Sequence, residues 1–313
     1  MRRVSLVGVS LLVLFVCLPA WGQPVIDGVR DPEYGAARAV QTVQTGFGDN
    51  LNELDAAYSS CDGSRLSLML TGNIQDNFNR LDIFIDSRAG GQTIFDSAGN
   101  DNASAMDGLQ FDAGFTADYH VIVRRGTALA NPTFDLDFAD LAAQSASGYF
   151  DIMAGGGLDG TGSTGTGINA SPILVGYDGS NVAGVTAGSG AANQAAAAAV
   201  TTGLELGIAL SDLGYDGSQP IRVMVGQNNV DHNYWSNQFL AGLVPPQGNL
   251  GGDGSGGFTG EGAIDFTLFA GDQFFESCGA AVAVDAVPTV APIGMIAIAL
   301  LLAVAGILVL RRV

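Results

Sequence analysis

Short runs in which apolar and polar residues alternate recur along the chain. In Arg65-Leu66-Ser67-Leu68-Met69-Leu70 the leucines share one face, as every second side chain of a strand does. In Leu81-Asp82-Ile83-Phe84-Ile85-Asp86 the odd positions are apolar and the two aspartates point the other way. Residues 119–123, 204–208, 222–225 and 265–269 repeat the pattern. Asp62-Gly63, Gly90-Gly91, Asp178-Gly179 and Asp216-Gly217 punctuate these runs as turns. Many short strands with glycine-rich turns predict an all-β body, a single sandwich of jelly-roll type. Helix competes poorly: residues 190–200 are rich in alanine but have no amphipathic stripe, and Ser211-Asp212-Leu213 suits only one turn. Residues 154–170, 184–193 and 248–262 read as three long loops, of the kind that are functional or mobile.

The two ends follow other rules. Residues 1–22 have the form of a secretory signal peptide, with Arg2 and Arg3 before an apolar run and Ala20-Trp21-Gly22 offering small residues for cleavage. Sec export and a mature start at Gln23 are expected. The body then spans 23–280, a linker 281–286, and a terminal segment 287–313. In that segment residues 290–310 form an uncharged apolar run, followed at once by Arg311 and Arg312. Such a run is long enough for a transmembrane helix whose end the arginines hold at the cytoplasmic face. A plain anchor would need nothing more.

The order of parts in that segment carries a resemblance. Val287-Pro288-Thr289, then Gly294-Met295, the apolar run and the Arg pair resemble the C-terminal sorting signals read by exosortases. The likeness is to the Ile-Pro-Thr-Leu type (IPTL-CTERM, related to PEP-CTERM). Val287 replaces the family's Ile conservatively, whereas Ile293 stands where the family has Trp. The resemblance implies an exosortase-type processing enzyme as partner and inner-membrane anchoring in transit. Delivery to the cell surface or extracellular matrix would follow.

Composition sharpens the picture by exclusion. The chain has no lysine, and its 12 arginines face 31 acidic residues for a net charge of -19. Schiff-base chemistry and a Walker A loop both need a lysine amine. A nucleic-acid partner needs a basic face that this chain lacks. Four arginines lie in the two ends and no acid does, so the body between them carries -23. That charge favours solubility and repels anionic polymers unless cations bridge them.

The body carries a second resemblance. Asp27-Gly28-Val29-Arg30-Asp31-Pro32-Glu33-Tyr34-Gly35 resembles the opening of exported β-sandwich domains similar to family 9 carbohydrate-binding modules. Glu53-Leu54-Asp55-Ala56-Ala57-Tyr58 with Leu66-Ser67-Leu68 fits their first core strands. Gly203-Leu204-Glu205-Leu206-Gly207-Ile208 leading to Leu213-Gly214 resembles their late strand and turn. The likeness implies a sandwich and a carbohydrate ligand such as an exopolysaccharide. The aromatic pair that clamps sugar in that family has no counterpart that the sequence places.

Candidate chemistry is sparse. Cys61 and Cys278 are the cysteines of the mature chain and suit a disulfide in an exported protein, or two free thiols. His120 alternates with Tyr119 and Val121 as a partly exposed strand residue, and His232 lies in the polar-aromatic stretch 231–238. Two histidines 112 positions apart give no zinc spacing, and no Gly-x-Ser-x-Gly elbow supports a triad. Nothing picks out the acid pair a glycosidase needs. No resident cofactor is expected apart from calcium, with Asp96, Asp101, Asp135 and Asp137 as hard-oxygen candidates; solvated acidic loops are the plainer account. Gly-x-Gly-x-x-Gly occurs at Gly155-Gly157-Gly160 and Gly252-Gly254-Gly257 without the strand-to-helix context of a nucleotide site. Tyr234 and Trp235, with Asn237 beside them, suit a sugar-stacking platform, or Trp235 belongs to the core. Taken together, the sequence predicts a non-catalytic, exported surface or matrix protein that binds carbohydrate. The alternative is an extracytoplasmic glycan-active enzyme.

Overall fold

The computed structural model describes residues 22–251 and 261–279. The signal peptide, the linker and the sorting residues Val287, Pro288, Thr289, Gly294, Met295, Arg311 and Arg312 lie outside these, as does the apolar run 290–310. Among the described residues no helix is long and apolar enough to cross a membrane.

Two antiparallel sheets make up the body. The first has the order β1 (Ala39–Val40), β2 (Glu53–Cys61), β3 (Arg65–Asn73), β10 (Gly203–Ala209), β9 (Leu174–Tyr177) and β8 (Gly160–Ser163). The second runs β12 (Trp235–Leu240), β11 (Arg222–Asn228), β4 (Arg80–Asp86), β5 (Tyr119–Ala128), β6 (Asn131–Asp140) and β7 (Ser145–Tyr149), with β13 (Phe275–Glu276) also on β11. The alternation read from the sequence sets their inner faces. Leu66, Leu68 and Leu70 of β3 and Leu204, Leu206 and Ile208 of β10 meet Leu81, Ile83 and Ile85 of β4, Val121 and Val123 of β5, and Val223 and Val225 of β11 in one core between the sheets.

The outer face of the second sheet is covered too. Residues 87–118 and the stretches after β12 cross it and bury Phe84, Ile122, Met224, Trp235 and Phe239 against Phe95, Phe111, Leu250 and Phe266 in a second core. Strands buried on both faces lose the polar-out half of their pattern, so β4 is buried at all seven positions. Gly226 on β11 makes this possible locally, since a Cβ there would stand 2.6–2.7 Å from the rings of Phe239 and Trp235.

Both sandwich edges are tied. Beyond β7 the chain pairs with β6 through Ile152 N–H to Phe134 O (2.9 Å), then with β8 through Ala154 N–H to Thr161 O (2.8 Å). One continuous segment therefore passes from the second sheet to the first. At the opposite edge, side-chain amides of Asn237 and Gln238 on β12 bond the backbone of residues 43–46.

Three expectations are corrected. Residues 154–170 contain β8 rather than one long loop. The alanine-rich stretch holds a short helix, α1 (Gln194–Ala199), started by Asn193, whose side chain accepts from Ala196 N–H. Residues 265–269 do not form a strand but a 3₁₀ turn over Phe266–Leu268, capped by Asp265; local side-chain capping wins over the alternating pattern.

Candidate functional site

Asp82, the polar alternate of β4, lies under the second core with no exposure. Its Oδ1 accepts from Nε2–H of His120 (2.8 Å) and Nε2–H of His232 (3.0 Å). The Nδ1 of His232 faces the carbonyl of Asp101 at 2.8 Å. Asp82 Oδ1 is therefore shared by two imidazole rings that reach it from different elements. Burial alone would raise Asp82, but the charge of His232 and the two imidazole N–H groups hold it well below the carboxylate range. Burial lowers His120, whose ring stacks on Phe84 with centroids 4.4 Å apart. His120 is thus fully buried, not the partly exposed strand residue its neighbours suggested.

Beside this group, Asp101 receives a two-pronged contact from Arg80 (2.8 and 3.0 Å) and a third bond from Arg124 (2.9 Å). Arg124 also pairs with Asp137 and Asp135. Three of the four calcium candidates therefore converge, but on two guanidinium groups that already supply their positive charge. Asp96 stands apart, exposed. Among the described residues no group of three acidic, His or Cys side chains is arranged for a metal. Of the calcium candidates Asp96, Asp101, Asp135 and Asp137, the last three are paired with arginine in this structure.

The stacking platform is corrected in part. Trp235 is wholly buried in the second core against Phe239. Asn237 is buried as well and works as a structural clip, accepting from Gly46 N–H and donating to the carbonyls of Gln44 and Gln247. Tyr234 remains half-exposed, and its partner is Phe47 of the β1–β2 connection. Their ring centroids lie 6.0 Å apart with planes 17° from parallel. Beside Tyr234, the half-buried Asn229 and the exposed Asn233 are bonded to each other at 2.6 Å.

This aromatic pair stands at one end of the sandwich. The connections that reach that end are residues 41–52, 74–79, 129–130, 150–159, 178–202 and 229–234, because β2, β4, β6, β8, β10 and β12 start there and β1, β3, β5, β7, β9 and β11 finish there. Cys61 closes β2 at the other end and is joined to Cys278 by a disulfide, Cα–Cα 5.9 Å. The nine residues of β3 separate the two ends by roughly 30 Å.

Two polar features sit beneath the loop end. A bulge in the β2–β3 ladder leaves Asp55 unpaired between Leu54 and Ala56, and its buried carboxyl accepts from Val185 N–H (2.8 Å). Asn181 donates to both Glu53 (2.9 Å) and Asp55 (3.1 Å). Burial raises Glu53 to about 7 and Asp55 to about 8, the latter also pushed by Glu53. Next to it opens a hollow of about 260 Å³ lined by Asn50, Leu51, Asn73, Gln75, Asp76 and Arg125 above Tyr177 and Gly179. A shallower hollow of about 680 Å³ lies along the far edge, between residues 24–26 and β8.

Phe47, Arg125 and Asp76 carry no motif; only their common end of the sandwich brings them out, and that is a property of topology. Glu205, by contrast, shows why the segment at 27–35 matters: it accepts from the N–H groups of Asp27 and Gly28 and from the Tyr34 hydroxyl, fixing the start of the body onto β10. No family model, curated protein or solved structure matches the chain.

Proposed function

We propose that this chain is a non-catalytic exported protein of the cell surface or extracellular matrix, which binds glycan with the loop end of its sandwich. The observation that carries the reading is the half-exposed Phe47–Tyr234 pair flanked by Asn229 and Asn233. Flat aromatic surface takes the C–H face of a sugar, and neighbouring amides satisfy hydroxyls. The Cys61–Cys278 bond supports export, since disulfides persist in oxidising compartments. Sec export, inner-membrane transit on the segment 287–313 and exosortase-type processing complete the proposal, resting on the order of residues in that segment. The last described residue, Gly279, follows the disulfide at the end remote from Phe47 and Tyr234. A tether leaving from there would present the aromatic pair away from the membrane.

The enzyme alternative would call on the paired carboxyls of Glu53 and Asp55, which are closed in under Asn181. Retention on the producer's exopolysaccharide tests the proposal. The mature body is expected to be retained, and Phe47→Ala with Tyr234→Ala to lose at least tenfold in affinity with unchanged melting temperature. Equal retention by the double variant would remove the aromatic pair from the account.

A further inference from the structure

We infer that the hollow above Tyr177 is a binding site for a single uncharged pyranose ring, a second contact point that rests on the glycan-binding reading and specifies its ligand. Its walls are built, not incidental. The guanidinium of Arg125 lies over the Tyr177 ring at 4.8 Å. The Tyr177 hydroxyl is tied to the next wall, accepting from Ile74 N–H (2.8 Å) and donating to Ile74 O (3.2 Å). Gly179 leaves the space the guanidinium fills, since a Cβ there would stand 2.7 Å from Nη1 of Arg125. Opposite, the exposed Asp76 carboxylate is steadied by the Thr127 hydroxyl at 3.2 Å. Thr127 and Arg125 sit two apart on β5, so the donor wall and the acceptor wall share a support.

The chemistry of the lining selects the ligand. Arg125 only donates, Asp76 only accepts, and Gln75 and Asn50 bring amides that do both. Adjacent sugar hydroxyls also donate and accept, so they match a site in which both kinds of group face one space. Charge argues against anions: Arg125 pairs with Asp159, 3.4 Å from Nη1, the Asp76 carboxylate lines the same hollow, and the body around it is strongly acidic. Phosphates, sulfates and uronates therefore find no excess positive charge here. Size argues for one ring, because about 260 Å³ is below the roughly 300–1,000 Å³ of sites for larger ligands. Leu51, 53 % exposed at the rim, offers apolar contact to the C–H face.

Saturation-transfer and amide-shift NMR on the oxidised mature body test this, with methyl glucoside, methyl mannoside, methyl galactoside and glucuronate as probes. At least one neutral glycoside should bind, with shifts centred on Gly179, Gln75 and Asn50. Asp76→Ala and Gly179→Ala should each weaken it at least tenfold, and Tyr234→Ala should leave it unchanged. Shifts of the parent protein locate the site even where a variant fails to fold. The inference is overturned if no neutral glycoside binds, if shifts centre elsewhere, if both hollow variants bind like the parent, or if glucuronate binds best. Loss of the hollow with polymer retention intact would leave the function proposed above standing; loss of retention with the hollow occupied would do the reverse.

Discussion

Asp82 shows what a residue's place in an alternating run can and cannot tell. The pattern 81–86 put Asp82 and Asp86 on the face opposite Leu81, Ile83 and Ile85, and they are there. That face is not wet, because residues from positions far along the chain cover it, and period-2 patterning records no such cover. The acid is instead matched by His120 from β5 and by His232 from the β11–β12 turn, which a count of two distant histidines could not pair. Asp82→Asn keeps the shape but removes the carboxylate charge that both imidazoles face in a fully buried place. The expected loss is about 3–5 kcal/mol in urea unfolding; a variant as stable as the parent would refute the pairing. The aspartates 101, 135 and 137 teach the same lesson, since oxygen ligands and arginine partners look alike until Arg80 and Arg124 are seen among them.

At the scale of elements, β3, β4, β5, β10 and β11 were legible because each has its own alternation. The β12 strand was not. Its Trp235 and Asn237 could be read as a ligand face or as core, and the outcome depended on whether the second sheet had a second cover. It does, so Trp235 is enclosed and Asn237 clips the strand to the β1–β2 connection. Asn237→Ala would remove the partner of the Gly46 N–H and of the Gln247 carbonyl, and leave Gln44 O to Gln238 alone. Unmade bonds of this kind cost about 1–3 kcal/mol each. Hydrogen exchange at Gly46 should therefore accelerate well before that of β3 or β10. Equal protection at Gly46 would show that the edge is held by other contacts. The half-exposed Phe47 next to this clip depends on the same anchoring, which is how a structural strand comes to position a candidate ligand surface.

For the whole molecule, buried carboxyls set the pH response. Burial raises Glu53, Asp55, Asp86, Asp118 and Glu205 above their ordinary values. The folded state then binds more protons than the unfolded chain between the ordinary carboxylate range and about pH 8, so stability grows as pH falls through that window. His120 acts oppositely: held neutral by burial, it costs stability once the unfolded chain protonates, below about pH 6.5. The melting temperature should accordingly be higher at pH 6.5 than at pH 8.5, and Glu53→Gln should flatten that rise. A melting temperature that climbs toward pH 8.5 would contradict it. The Cys61–Cys278 bond closes a loop of 217 residues, and in the chain-entropy account contributes about 5 kcal/mol. Reduction should lower stability by a large part of that amount without releasing the loop end from its fold.

Under the proposed function the loop end holds glycan without cutting it. The most direct measurement incubates the oxidised mature body with the producer's own exopolysaccharide and assays both phases, protein on the polymer and oligosaccharide in solution. Protein retained on an unshortened polymer is the expected result. Oligosaccharide appearing in solution, or protein left wholly unbound, would contradict it.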